Sequence, residues 1–251
     1  MLKVTSSDKI NIHIAGENAL IIYFSEHASS EVSAKVLKAE KIIRQAMIDE
    51  LLTDIIDLIP SYASLMVMFN LMKTDHYQVR NKLRALLENL EDNSQAHSNV
   101  NASSVIELPV YYSLESGPDL VVIAKQNKLS IAEVIEIHQA QEYLVYAIGF
   151  APGFAYLGEV DERIATPRLS TPRMKVPKGA VAIADKQTAV YPSISPGGWN
   201  LIGLCPIDMF DATASPTMPV NVGDKVKFKS ISKFEFVELG GKLPEDLGAN
   251  T

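Results

Sequence analysis

One cysteine, Cys205, and one tryptophan, Trp199, occur among the 251 residues of the chain. A single thiol excludes an internal disulfide and a cysteine-based zinc cluster. Positive charge is in deficit: 23 Lys and Arg stand against 30 Asp and Glu, a formal net charge of −7. General nucleic-acid binders present a basic footprint, so no nucleic-acid partner is expected. No stretch approaches the ~20 consecutive apolar residues of a membrane span. The richest, residues 51–72, is interrupted by Asp54, Asp57, Pro60 and Asn70. The opening MLKVTSSDKINIHIAG lacks the basic segment and apolar core of a secretory signal. The expectation is a soluble, cytoplasmic protein without a membrane partner. With 47% hydrophobic and 21% charged residues, the composition is that of a globular chain.

Hydrophobic patterning divides the chain in two. Short β-rich runs at 10–14 and 19–24 flank Gly16-Glu17-Asn18, which predicts a hairpin. Ser29 or Ser30 caps a predicted helix carrying Val32, Val36 and Ile43. Two further runs at 55–59 and 64–69 surround Pro60-Ser61. Val79, Leu83, Leu86, Leu87 and Leu90 then recur at helical spacing on one face. The predicted order is ββαββα, a small α/β unit at 8–92 in which two helices cover one face of an antiparallel sheet. Residues 91–104, EDNSQAHSNVNASS, offer almost nothing to bury, and the linker is placed at 93–104. His97 falls there, without metal-ligand spacing around it, and reads as a solvated side chain.

The second region, 105–240, opens with a strand at 105–111, a turn at Ser116-Gly117-Pro118, and two short helices, the second capped by Ser130 and Glu133. Beyond Ala147, glycine and proline punctuate short apolar runs, the pattern of a β-rich barrel or sandwich with functional loops. The fold class is α+β.

Candidate chemistry concentrates in residues 149–203. Arg163, Arg168, Arg173, Lys175 and Lys178 lie in a stretch with no acidic residue, in an otherwise acidic chain. Arg168 and Arg173 each follow Thr-Pro, which stiffens the backbone presenting a guanidinium suited to carboxylate or phosphate. The stretch is an anion site or a set of solvated loop charges. Ser195-Pro196-Gly197-Gly198-Trp199 places two glycines beside the single tryptophan, for close backbone approach to a ligand or for an ordinary turn over a buried ring. Phe150, Pro152, Gly153 and Tyr156 alternate aromatic walls with backbone punctuation, either a pocket lining or the core of a loop. His138 lies on the apolar face of its helix, as a satisfied core histidine or as a proton carrier. Gly153 to Gly158 has the glycine spacing of a phosphate loop, but Glu159 stands where lysine is required. No metal ligands are identifiable.

These motifs occur in one order: Gly117-Pro118-Asp119-Leu120, Glu136-Ile137-His138, Gly149-Phe-x-Pro-Gly-Phe-x-Tyr-Leu-Gly158, Thr166-Pro-Arg168, Pro172-Arg173, Val176-Pro177, Gln187-Thr188, Tyr191-Pro192 and Ser195-Pro-Gly-Gly-Trp199. The set closely resembles the family of 5-oxoprolinase B subunits, also described as KipI-like or as allophanate hydrolase subunit 1. The resemblance is strong over residues 105–230 and weaker before them. It implies a cyclophilin-like β-barrel after the small α/β domain. It also implies an ATP-dependent 5-oxoprolinase that opens 5-oxo-L-proline to L-glutamate. In that enzyme this chain would pair directly with the 5-oxoprolinase C subunit, as a heteromer, and work with a separate A subunit. ATP would bind at a site shared with those partners.

On that reading His138, Arg168 and Arg173 carry catalysis. Phe150, Pro152, Gly153, Tyr156, Lys178, Gln187, Tyr191, Ser195, Pro196, Gly197, Gly198 and Trp199 bind substrate or anion. The same resemblance admits a regulator that inhibits a histidine kinase, or one component of an allophanate- or urea-processing amidohydrolase. Two departures from the family pattern, Leu204-Cys205-Pro206 and Asp185-Lys186, bear on substrate more than on fold.

Overall fold

The computed structural model describes residues 11–88, 90 and 105–244. The linker expected at 93–104, with His97, and the tail from 245 onward lie outside the described residues. The chain divides into two compact units, residues 1–102 and 103–251.

In the first unit the elements follow the order ββαββα: β1 (Asn11–Ile14), β2 (Ala19–Tyr23), α1 (Ser30–Ile48), β3 (Ile55–Pro60), β4 (Ser64–Phe69) and α2 (His76–Leu87). The sheet is antiparallel in the order β1-β2-β4-β3. Period-two alternation turns Leu65, Val67 and Phe69 of β4 inward against Val36, Ala39 and Ile43 of α1 and Val79, Leu83 and Leu87 of α2. Ser29 caps α1 by accepting from the Val32 N–H. Asp75, which the pattern of apolar residues does not single out, caps α2 in the same way through Gln78.

The second unit contains β5 (Ile106–Val110), α3 (Leu120–Asn127), α4 (Ile131–Ala140), β6 (Tyr143–Ile148), β7 (Ala155–Gly158), β8 (Arg173–Val176), β9 (Ala180–Ala184), β10 (Gln187–Val190), β11 (Ser195–Gly197), β12 (Asn200–Leu204), β13 (Lys225–Ser230) and α5 (Lys233–Glu238). Seven strands form one sheet in the order β12-β9-β10-β7-β6-β13-β5. Its two edges meet where Tyr111 and Leu204 exchange backbone hydrogen bonds at 2.8 and 3.0 Å, which closes the sheet into a barrel. A separate ribbon pairs β8 with β11.

Side-chain size alternates with the pleat of β9 and β10. Val181, Ile183 and Val190 point into the barrel core with Tyr143, Val145, Leu157, Ile202 and Phe228. Ala180, Ala182, Ala184 and Ala189 point the other way, into a second apolar layer with Phe154, Tyr191 and Trp199. The helices α3 and α4 add Leu120, Ile123, Val134 and Ile137 to the barrel core.

His138 of α4 is wholly buried in that core and stacks on Phe228 at 4.7 Å. Its Nε2 lies 3.0 Å from Thr188 Oγ1, and its Nδ1 lies 2.8 Å from the Tyr112 hydroxyl. Thr188 donates its one hydroxyl proton to the Ala182 carbonyl. It must therefore accept from His138, which puts the ring proton on Nε2 and makes Nδ1 the acceptor of the Tyr112 O–H. The chain of bonds is complete only with a neutral imidazole. Burial pushes its pKa from 6.5 down to about 3.

Below pH 6.5 the unfolded histidine therefore takes up a proton that the folded one refuses. The stability present above that pH is lost as pH falls toward 3, at about 1.4 kcal/mol per pH unit. The unfolding free energy of the wild-type chain relative to His138→Gln should fall by about 2 kcal/mol between pH 7 and pH 5 in urea titrations. A difference that does not change with pH would contradict the neutral buried ring.

Candidate functional site

The aromatic layer outside the barrel centres on Phe154. Its ring meets Phe150, Tyr156, Tyr191 and Trp199 at centroid distances of 5.2, 4.8, 5.2 and 5.6 Å, all edge to face. Gly153, at φ +85°, lets the turn before Phe154 pack on the 209–210 backbone, because a Cβ there would stand 2.4 Å from the Met209 carbonyl oxygen. Phe150 holds φ +69° and is 63% exposed, so this ring stands at the rim.

Arg168 covers the layer, with its guanidinium carbon 5.8 Å from the centroid of the Trp199 ring. Backbone anchors on both sides hold it there. Asn200, itself buried, donates from Nδ2 to the Pro167 and Ile183 carbonyls at 2.9 and 3.1 Å. The Leu169 N–H donates to Gly198 O at 2.7 Å. Burial raises the Tyr191 phenol to about 12, against the opposing pull of Arg168, a hydrogen bond from the Trp199 backbone, and Arg173. The hydroxyl thus keeps its proton at neutral pH and is a donor.

Arg173 is placed differently. The β8–β11 ribbon sets it opposite Gly197. Its Nη2 donates to Asp119 Oδ1 at 2.8 Å, in a pair whose side chains are 15% and 9% exposed. The acid-free run of cations is therefore largely neutralised from elsewhere in the chain. Arg163 is chelated by Asp161 and Lys178 pairs with Asp208 at 2.7 Å. Arg168 is the arginine of this run that lies exposed against the aromatic layer.

The structure brings together Phe150, Gly153, Tyr156, Tyr191, Gly197, Trp199, Arg168 and Arg173. Ser195 and Pro196 lie on the same ribbon as Gly197, and Pro152 is exposed in the Phe150–Phe154 turn. Gln187 sits at the start of β10, paired with Gly158 and Ala184. Three of the expected site residues have other surroundings. His138 lies in the barrel core with both ring nitrogens engaged and no exposed surface. Lys178 is held at its own surface carboxylate. Gly198 leaves room for a side chain, its nearest Cβ neighbours being 3.6 Å away, whereas a Cβ on Gly197 would stand 2.4 Å from the Tyr191 hydroxyl. The close approach within the chain is at Gly197. Asp119 and Asn200 escaped functional assignment from sequence, because each acts through a partner distant along the chain. Among the described residues no group of three or more His, Cys, Asp or Glu could hold a metal ion.

The chain that carries this layer belongs to a recognised class. The family model for the carboxyltransferase domain, subdomain C and D, matches residues 10–220. Over 242 residues the chain is 36% identical to the 5-oxoprolinase B subunit of Bacillus subtilis (strain 168), covering 91% of this chain and 95% of that one. The chain belongs to the family of 5-oxoprolinase B subunits. It is similar to PH0987 from Pyrococcus horikoshii, a conserved uncharacterised protein, at 41% identity and TM-score 0.53 over 90% of this chain and 100% of that one. It is also similar to TTHA0988, at 31% identity and TM-score 0.72, covering 86% of this chain and 40% of that longer one.

The two glycines give a sharp comparison. Gly197→Ala must displace the Tyr191 ring and should cost about 1–3 kcal/mol, with a change in the near-ultraviolet circular dichroism of the aromatic layer. Gly198→Ala should stay within about 0.5 kcal/mol of wild type. Equal effects in the two variants would contradict the packing described.

Proposed function

We propose that this chain serves as the B subunit of an ATP-dependent 5-oxoprolinase, which opens the lactam of 5-oxo-L-proline to L-glutamate. The observation that carries the reading is identity to a 5-oxoprolinase B subunit over nearly the whole of that relative's length. The arginine-capped aromatic layer is the part of this chain suited to the task.

The chemistry sets the demands. A lactam resists water because its nitrogen lone pair delocalises into the carbonyl. Transfer of the γ-phosphoryl group of ATP to the carbonyl oxygen turns that oxygen into a leaving group, and water can then add at the carbon. The ring C–N bond breaks as the nitrogen takes up a proton, which leaves an acyl phosphate, and a second water hydrolyses that to glutamate and inorganic phosphate. Ligand and intermediate carry a carboxylate and a phosphoryl group on a small flat ring. Preorganised donors beside an apolar wall meet that need. Arg168 supplies a planar cation already fixed by its flanking backbone bonds. Exposed Phe150 and half-buried Tyr156 offer the apolar wall, backed by the buried rings of Phe154 and Trp199. Tyr191, buried behind them and protonated at neutral pH, is a poor general base.

One wall does not enclose a phosphorylated intermediate, which must be shielded from water until it is formed. The remaining walls, and the nucleotide site, come on this reading from the C subunit in direct contact with this chain, and the A subunit then completes the enzyme. ATP-dependent glutamate formation should require all three chains together. Turnover by the A and C subunits without this chain would contradict the proposal. Within the assembled enzyme, Arg168→Lys keeps the charge but loses the planar fork, and kcat/KM should fall on the order of ten-fold or more. Unchanged turnover would remove Arg168 from the site.

A further inference from the structure

Asp119 immediately precedes α3, the position where an aspartate ordinarily accepts a hydrogen bond from the first turn of its own helix. It makes no such bond. Its carboxylate turns instead to two other elements. Oδ1 accepts from Nη2 of Arg173 at 2.8 Å, and Oδ2 accepts from the Leu201 N–H at 2.6 Å. The Asp119 N–H in turn donates to the Leu201 carbonyl at 3.1 Å. Because Arg173 is registered opposite Gly197, residues 197–201 are held at both ends by one ion pair. Trp199 lies between the two grips.

The pair is also incompletely satisfied. Nη1 of Arg173 is buried and has no hydrogen-bond partner. A buried ion pair stabilises a fold only when its remaining donors and acceptors are met. A pair that leaves a guanidinium donor orphaned is poorly suited to a purely stabilising role. Its geometry, two fixed points around the tryptophan, is what it supplies.

We propose that Asp119 is a positioning residue for the site: with Arg173 it fixes the segment that carries Trp199, and so the surface on which Arg168 rests and the anionic ligand binds. This rests on the functional reading given above. The segment lies against Arg168 through the Leu169–Gly198 bond, so slack at either end of residues 197–201 would loosen both the ring and the cation over it.

Trp199 is the single tryptophan of the chain and therefore its own reporter. Asp119→Asn retains an oxygen for the Leu201 N–H but loses the charge that holds Arg173. In the full chain, acrylamide quenching of Trp199 fluorescence should rise at least about two-fold, with far-ultraviolet circular dichroism unchanged. In the enzyme assembled with the A and C subunits, KM for 5-oxo-L-proline should rise on the order of ten-fold while kcat changes less. Arg173→Gln removes the charge opposite Asp119 and tests the same point if Asp119→Asn does not fold; quenching and KM should shift in the same direction. Folded variants with wild-type quenching and wild-type KM, even if they melt at lower temperature, would overturn the proposal. An assembled wild-type enzyme without oxoprolinase activity would overturn the functional reading instead, and the quenching comparison would still decide the role of Asp119.

Discussion

The site exists because small and large side chains alternate along β9 and β10. Val181, Ile183 and Val190 fill the barrel, so the opposite face of the same strands is free to carry alanine. Those alanines leave the depth that Phe154, Tyr191 and Trp199 occupy. A branched residue at Ala182 or Ala189 would push into closely packed aromatic rings, and interiors at crystal-like density absorb such changes poorly. The inner core and the outer layer are two sides of one constraint, the period-two geometry of a strand.

Polar contacts then fix what the packing makes room for. Asn200 holds the loop before Arg168, the Leu169–Gly198 bond holds the loop after it, and the Asp119–Arg173 pair grips the segment around Trp199. Each uses a buried or half-buried group whose partner is a main-chain atom or an opposite charge, the conditions under which polar burial is tolerated. The outcome is a division of labour between two arginines that look alike in sequence. Arg173 is a strut inside the structure, and Arg168 is the exposed cation over the tryptophan ring.

Elements defined by local signals were legible in the sequence. The ββαββα order, the Ser29 cap and the Ser130–Glu133 capping box depend on residues within a few positions of one another, and the structure contains them. The aromatic and glycine motifs also marked residues of the outer aromatic layer. Partners set by tertiary contact were not legible. Asp119 and Arg173 are 54 positions apart, and neither motif announces the other. The choice between Gly197 and Gly198 depends on where the Tyr191 hydroxyl ends up. His138 sat on an apolar helical face, which is compatible with core or pocket. Only the positions of Tyr112 and Thr188 decide for the core.

On the proposed function, the Arg168–Trp199 face is where ligand and partner chains meet this one. Hydrogen–deuterium exchange on the assembled three-chain enzyme, with and without 5-oxo-L-proline and ATP, tests that most directly. New protection should concentrate in residues 149–156, 166–170 and 195–201, with the barrel strand β13 unchanged. Ligand-dependent protection confined to other parts of the chain, with none in these three segments, would contradict it.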